Sequence, residues 1–224
     1  ILATPTSMSK GFFGPDDLVV TDAAGHKLEG ARNPSSELAM HLLIYRLRPE
    51  INGVVHAHPP VATGYAAAGL PLNQALISEV VLALGCVPLA AYGTPGTPEL
   101  SDALRPLIPS YDALLMANHG VVTYAEDVMR AYFKMETVEH FARISLVSHL
   151  LGRQVLLGDK EVEKLLVQRR KYEGITTAAA PALGCPVTSV AEPAEPHIEP
   201  RISVTRAELT AMLEEALRGQ KRRW

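Results

Sequence analysis

Cysteine is scarce in this chain, and its scarcity excludes a class of fold. It occurs twice, at Cys86 and Cys185, too few for a disulfide framework, so free thiols in a reducing compartment are expected. Long apolar runs are lacking too. None approaches the roughly 18 residues of a membrane span, and no membrane partner is expected. Basic charge is not in excess: 21 Lys and Arg stand against 24 Asp and Glu, a formal net charge of −3. Basic residues cluster only in the final KRRW, so a nucleic-acid partner is not expected either. An initiating methionine is also missing. The chain opens ILATPTSM, and its natural start is expected upstream.

What is present suits one globular core with an appendage: 224 residues, 47% of them apolar. Residues 1–4 and 18–22 read as short strands. NPSSELAMHLLIYRLRP reads as a helix with Ser35 and Ser36 as N-cap candidates, Glu37 in the first turn and Pro49 closing it. GVVHAH is a buried strand, and PPVATGYAAAG a short helix. A helix around 78–84, a strand around 86–91 and a helix within GTPGTPELSDALRPLI follow. ALLMANHG is a strand ending at His119-Gly120. A long helix runs from Glu126 to Leu150, with Val128, Tyr132, Met135, Val138, Ala142 and Leu146 at helical spacing. Another covers about 159–171. Alternating helices and strands make the class α/β, in layers.

After Gly174 the composition changes. Residues 175–203 are rich in Ala and Pro without periodicity and read as a linker. Residues 204–224 return to an amphipathic helix, with a capping box at Thr205 and Glu208 and an apolar stripe of Leu209, Met212, Leu213 and Leu217.

The chemistry begins in VVHAHPP. On a strand, residues two apart face the same way, with Cα atoms about 6.5–7 Å apart. His56 and His58 can therefore converge on one metal ion, or simply form a hydrogen-bonded pair. A third histidine, His119, also ends an apolar strand. Three neutral imidazoles around one open position are the ligand set of a catalytic zinc site. Glu37 has two readings: a carboxylate favoured by the helix dipole, or a catalytic group. Ser35 and Ser36 beside it offer hydroxyls and free N–H groups to an anion such as phosphate.

Taken together, TPT near the start, PSSE, VVHAH, YGTPGTPELS, NHG and the closing RRKYEG resemble the class II aldolase/adducin family, over about residues 2–174. The resemblance implies a layered α/β/α fold with a central, largely antiparallel sheet, and a catalytic domain over residues 1–174. It implies that His56, His58 and His119 hold Zn²⁺, with Mn²⁺ or Co²⁺ as alternatives, and that Glu37 exchanges a proton during turnover. Thr6, Ser35 and Ser36 match phosphate-binding positions, and Ser7 stands where the family has glycine. Tyr92 matches a tyrosine lent by a neighbouring subunit of a C4 homotetramer, and Tyr172 a tyrosine that closes over the site. An upstream helix and its Gly-Asn phosphate loop belong to the family and are not in this sequence. The implied reaction is cleavage of a ketose 1-phosphate, with L-fuculose 1-phosphate in the lead, to dihydroxyacetone phosphate and L-lactaldehyde. Epimerisation of L-ribulose 5-phosphate, decarboxylation of a sugar-acid phosphate and a non-enzymatic binding module are the alternatives. The helix at 204–224 reads either as a helix packed on its own subunit or a neighbour, or as an encapsulation peptide, which it resembles and which implies a bacterial microcompartment shell or cargo protein as partner and a cytoplasmic or microcompartment location.

Overall fold

The computed structural model describes residues 1–169. The expected linker, C-terminal helix and Tyr172 lie outside the described residues. Two sheets are present among the described residues. A small antiparallel sheet joins β1 (Leu2–Ala3), β2 (Val19–Thr21) and β3 (Lys27–Glu29) in that order. The larger sheet has the order β4 (Gly53–Ala57), β7 (Gly120–Ala125), β6 (Ala113–Met116), β5 (Leu89–Ala90). Its pairs are antiparallel except β5 with β6.

Helices cover both faces of this sheet, which is why β6 and β7 read as unbroken apolar runs with every residue buried. Successive residues of β6 point to opposite sides. Leu114 and Met116 enter one core with Met40, Leu43 and Ile44 of α1 (Leu38–Leu47) and Leu100 and Leu104 of α4 (Pro98–Leu104). Ala113 and Leu115 enter the other core. There they meet Ala62 and Ala66 of α2 (Pro60–Ala67), Val80 of α3 (Ser78–Ala83) and Val138 and Phe141 of α5 (Val128–Leu150). The last described helix is α6 (Asp159–Arg169). This is the expected layered α/β/α arrangement with a largely antiparallel sheet.

Several expectations need correction. The segment between His119 and the long helix had no predicted element. It is β7, an inner strand of the large sheet, paired with β6 through a turn at residues 117–119. The apolar run VVTYA carried no alternation to announce it, because both its faces are buried. The strand β3 was also not anticipated; its three residues are all exposed. Helix α5 begins after Asp127, whose side chain accepts the Arg130 N–H at 2.7 Å. Its buried face is Ala131, Met135, Val138, Phe141, Ala142 and Ser145. Val128, Tyr132 and Leu146, expected on that face, are exposed. Cys86 is disulfide-bonded rather than free. Distance along the chain was a poor guide there, since loop-closure entropy grows only slowly with length.

One buried ion network ties the layers together. Asp112, at the start of β6 and 1% exposed at its side chain, accepts from Arg48 at 3.2 Å and from Lys134 of α5 at 2.8 Å. Arg48 also donates to the Ile108 carbonyl and to Glu50, and stacks over the Tyr124 ring at 5.8 Å.

Candidate functional site

The site forms where three chain segments meet at one end of the large sheet. His56 is the fourth residue of β4, opposite Val122 of β7. His58 lies just past that strand and is exposed, while His56 is buried. His119 is supplied by the β6–β7 turn, where Asn118 takes a left-handed φ of 53°, a conformation asparagine tolerates. The three rings stand with centroids 4.8–5.2 Å apart. Their ligand nitrogens all lie within 4.8 Å of one another, close enough to share one ion.

Gly120 permits this approach. A Cβ there would sit 2.5 Å from His58 Cδ2 and 2.7 Å from the Ala57 carbonyl oxygen. The glycine is needed for close packing against the histidine strand.

Glu37 holds two of the histidines. One carboxylate oxygen is 2.8 Å from His56 Nε2 and the other 2.9 Å from His119 Nε2. The contacts with His119 and then His56 hold its carboxyl well below the usual carboxylate range, against the opposing effect of burial. Position matters here too. Glu37 itself occupies the N-cap place of α1, without a side-chain cap bond. The expected capping by Ser35 and Ser36 takes another form: Ser35 Oγ accepts the Glu37 N–H at 3.2 Å, a local turn that aims the glutamate.

His56 fits a metal ligand. Its Nδ1 is 2.8 Å from the Val121 carbonyl; a carbonyl only accepts, so Nδ1 carries the proton. In a neutral ring Nε2 is then a bare lone pair facing a carboxylate oxygen, and a positive centre belongs beside it. His119 Nδ1 is buried without a hydrogen-bond partner among the described residues, and buried His56 Nε2 faces only the Glu37 carboxylate oxygen. Burial, followed by the charges of His56 and His119, lowers the His58 pKa and favours the neutral ligand form.

The serine and threonine candidates are drawn together. The Thr6 N–H donates to the Asn33 carbonyl at 3.0 Å and the Ser35 N–H to the Thr4 carbonyl at 3.1 Å. The TPTS and NPSSE segments are thereby stitched side by side. The loop after Tyr92 also returns to this region, with Gly96 placed so that a Cβ would lie 3.7 Å from the Ser36 carbonyl oxygen. Tyr92 itself stands 58% exposed just beyond β5. Ser7 has φ 56°, the region where a side chain is strained and glycine is not. Ser7→Gly is expected to raise stability by about 0.5–1 kcal/mol in urea unfolding; a loss of stability would show that the Ser7 side chain contributes more than its backbone strain costs.

Two residues here were not singled out from the sequence. Lys10 donates to the His56 carbonyl oxygen at 2.5 Å; a lone lysine in a loop after TPTS carries no spacing signal. The second is His41, on α1. Its pKa is lowered to about 4, first by burial and then by the charges of His56 and Lys10. The unfolded chain protonates this ring near pH 6.5 while the native state does not, so stability is full above that pH and falls as pH drops toward 4. Replacing His41 by Gln is expected to remove about 2 kcal/mol of the stability loss between pH 7 and 4.5, measured by urea unfolding at both pH values. An unchanged difference would mean His41 takes up its proton equally in both states.

Comparison with known proteins now adds the family. The model of the Class II Aldolase and Adducin N-terminal domain matches residues 1–146. The chain belongs to the class II aldolase and adducin family. It is 38% identical over 162 residues to the 5-deoxy-D-ribulose 1-phosphate aldolase of Bacillus thuringiensis, covering 71% of this chain and 73% of that one. It is 33% identical over 169 residues to the 3-oxo-tetronate 4-phosphate decarboxylase of Escherichia coli, covering 74% and 75%. Among solved structures, an L-fuculose 1-phosphate aldolase aligns with a TM-score of 0.69 and 34% identity over 75% of this chain and 79% of that one. The chain is thus an enzyme of the aldolase type, a carbon–carbon lyase, in a metal-dependent family. No helix among the described residues is long and apolar enough to cross a membrane.

Proposed function

We propose that this class II aldolase cleaves a ketose 1-phosphate, with L-fuculose 1-phosphate as the leading substrate, to dihydroxyacetone phosphate and L-lactaldehyde. The observation that carries the reading is one carboxylate, Glu37, shared between His56 and His119 beside His58. The three histidines would hold a divalent ion, Zn²⁺ before Mn²⁺ or Co²⁺. Once bound, the ion supplies Lewis-acid stabilisation of negative charge at a substrate oxygen.

The chain's own residues do the rest. Glu37, ionised at neutral pH, is a proton acceptor within reach of the substrate carbon that gains and loses a proton. Thr6, Ser7, Ser35 and Ser36 offer hydroxyls and backbone N–H groups to the phosphate. Tyr92, exposed on its own subunit, serves the aldehyde end of a substrate bound by its neighbour in a homotetramer. Tyr172 closes over the site. Residues 204–224 deliver the enzyme to a microcompartment shell or cargo partner within the cytoplasm. A second reading, decarboxylation of a 3-oxo acid phosphate, is favoured by one observation: the Lys10 ammonium at the histidine cluster, which suits an acidic substrate. Supplying L-fuculose 1-phosphate to the metal-loaded protein and following dihydroxyacetone phosphate tests the first reading. Release of CO₂ from a 3-oxo acid phosphate, with no product from the ketose phosphate, supports the second.

A further inference from the structure

Lys10 sits where a positive charge is hard to explain by folding alone. Its Nζ reaches 46 residues along the chain to the carbonyl oxygen of His56, at 2.5 Å. That carbonyl belongs to a residue of the histidine cluster. An ammonium has three N–H donors, and this contact uses one. The residue as a whole is exposed while its ammonium end is partly buried, and Nζ makes no second hydrogen bond among the described residues.

The loop that carries Lys10 is held, not free. Thr6 is bonded to Asn33, and Pro5 bridges Pro34 across the same junction. The candidate phosphate residues and Lys10 are therefore parts of one anchored segment. With a divalent ion on the three histidines, the single charge of Glu37 leaves the site positive, and Lys10 adds to that excess. Such a site is completed by an anionic ligand.

We propose that Lys10 is a substrate-recognising residue, whose ammonium binds an acidic oxygen group of the substrate beside the metal centre. Two sources share this chemistry, a carboxylate and a phosphate. The inference rests on the metal-site reading above and adds a charge preference to it. Lys10 binds the substrate's anion and simultaneously the His56 carbonyl, so that anion is fixed relative to the metal ligands.

The test uses the metal-loaded full chain and three probes: inorganic phosphate, glycolate and 2-phosphoglycolate, titrated calorimetrically. Lys10→Met is expected to weaken 2-phosphoglycolate by about 10- to 100-fold, the loss of one charge-assisted hydrogen bond, with metal content unchanged. Lys10→Arg is expected to recover most of the affinity. A loss seen with glycolate and not phosphate identifies a carboxylate as the partner; the reverse identifies the phosphate. Wild-type affinity for all three probes in Lys10→Met overturns the proposal, as does Lys10→Arg binding as weakly as Lys10→Met, which would make the residue a loop clasp. No binding of any probe to the wild type overturns it as well. Lys10→Gln replaces the Met variant if the latter does not fold. Binding needs no turnover, so the two failures separate. Product formation with unchanged probe affinity in Lys10→Met leaves the aldolase reading and removes this one. Probe binding that depends on Lys10, without cleavage of any ketose phosphate, does the opposite.

Discussion

Glu37→Gln is expected to lower turnover by about 10²- to 10⁴-fold while leaving about one metal ion per chain. The amide has the shape of the carboxylate and can still face His56 and His119, 2.8 and 2.9 Å away in the wild type. What it lacks is a usable base. The three imidazoles that would hold the ion are untouched, so binding and proton transfer should come apart. Elemental analysis and a product assay on the same preparation read both quantities. A turnover within tenfold of wild type would assign Glu37 a merely structural place at the start of α1. A loss of metal along with activity would make it a ligand rather than a base.

Asp112→Ala is expected to destabilise the protein by about 3–5 kcal/mol, the cost of leaving buried charges without their partner. Asp112 is 1% exposed and sits between Arg48 and Lys134. Arg48 is itself only 7% exposed at its side chain, and would keep Glu50, the Ile108 carbonyl and the Tyr124 ring but lose its buried carboxylate partner. For a domain of this size that corresponds to a melting temperature lower by about 10 °C or more, read by thermal unfolding. A change below about 1 kcal/mol would mean that water reaches the network and screens it. Because Asp112 lies in the β6 layer and not among the histidines, folded Asp112→Ala protein should still bind metal.

The sequence carried the chemistry of the site better than its scaffold. His56 and His58 were legible because a strand's two-residue period places alternate side chains on one face. His119 was legible as a histidine following an apolar strand, but its setting was misread. The strand after it, β7, is buried on both faces and so shows no alternation, and the turn between two strands looked like the end of one. That misreading also hid why Gly120 is glycine. The reason is a distance of 2.5 Å to a side chain 62 positions away, which no local pattern encodes. Glu37 was picked out beside two serines, yet the way Ser35 aims it is a matter of backbone turn rather than helix capping. Lys10 was invisible for the same reason as Gly120: its partner is distant in the chain. Ser7 was the reverse case, a departure from the family's glycine whose consequence, a left-handed backbone, is seen directly in the structure.

The central claim is that His56, His58 and His119 hold a catalytic metal, and metal content decides it most directly. The protein, purified without chelator, is analysed beside His56→Ala for bound divalent metal. The account predicts about one ion per chain in the wild type and a near-complete loss in the variant, with both proteins folded. Equal metal content in the two proteins, or none in either, would contradict it and leave the three histidines as a packed cluster bridged by Glu37.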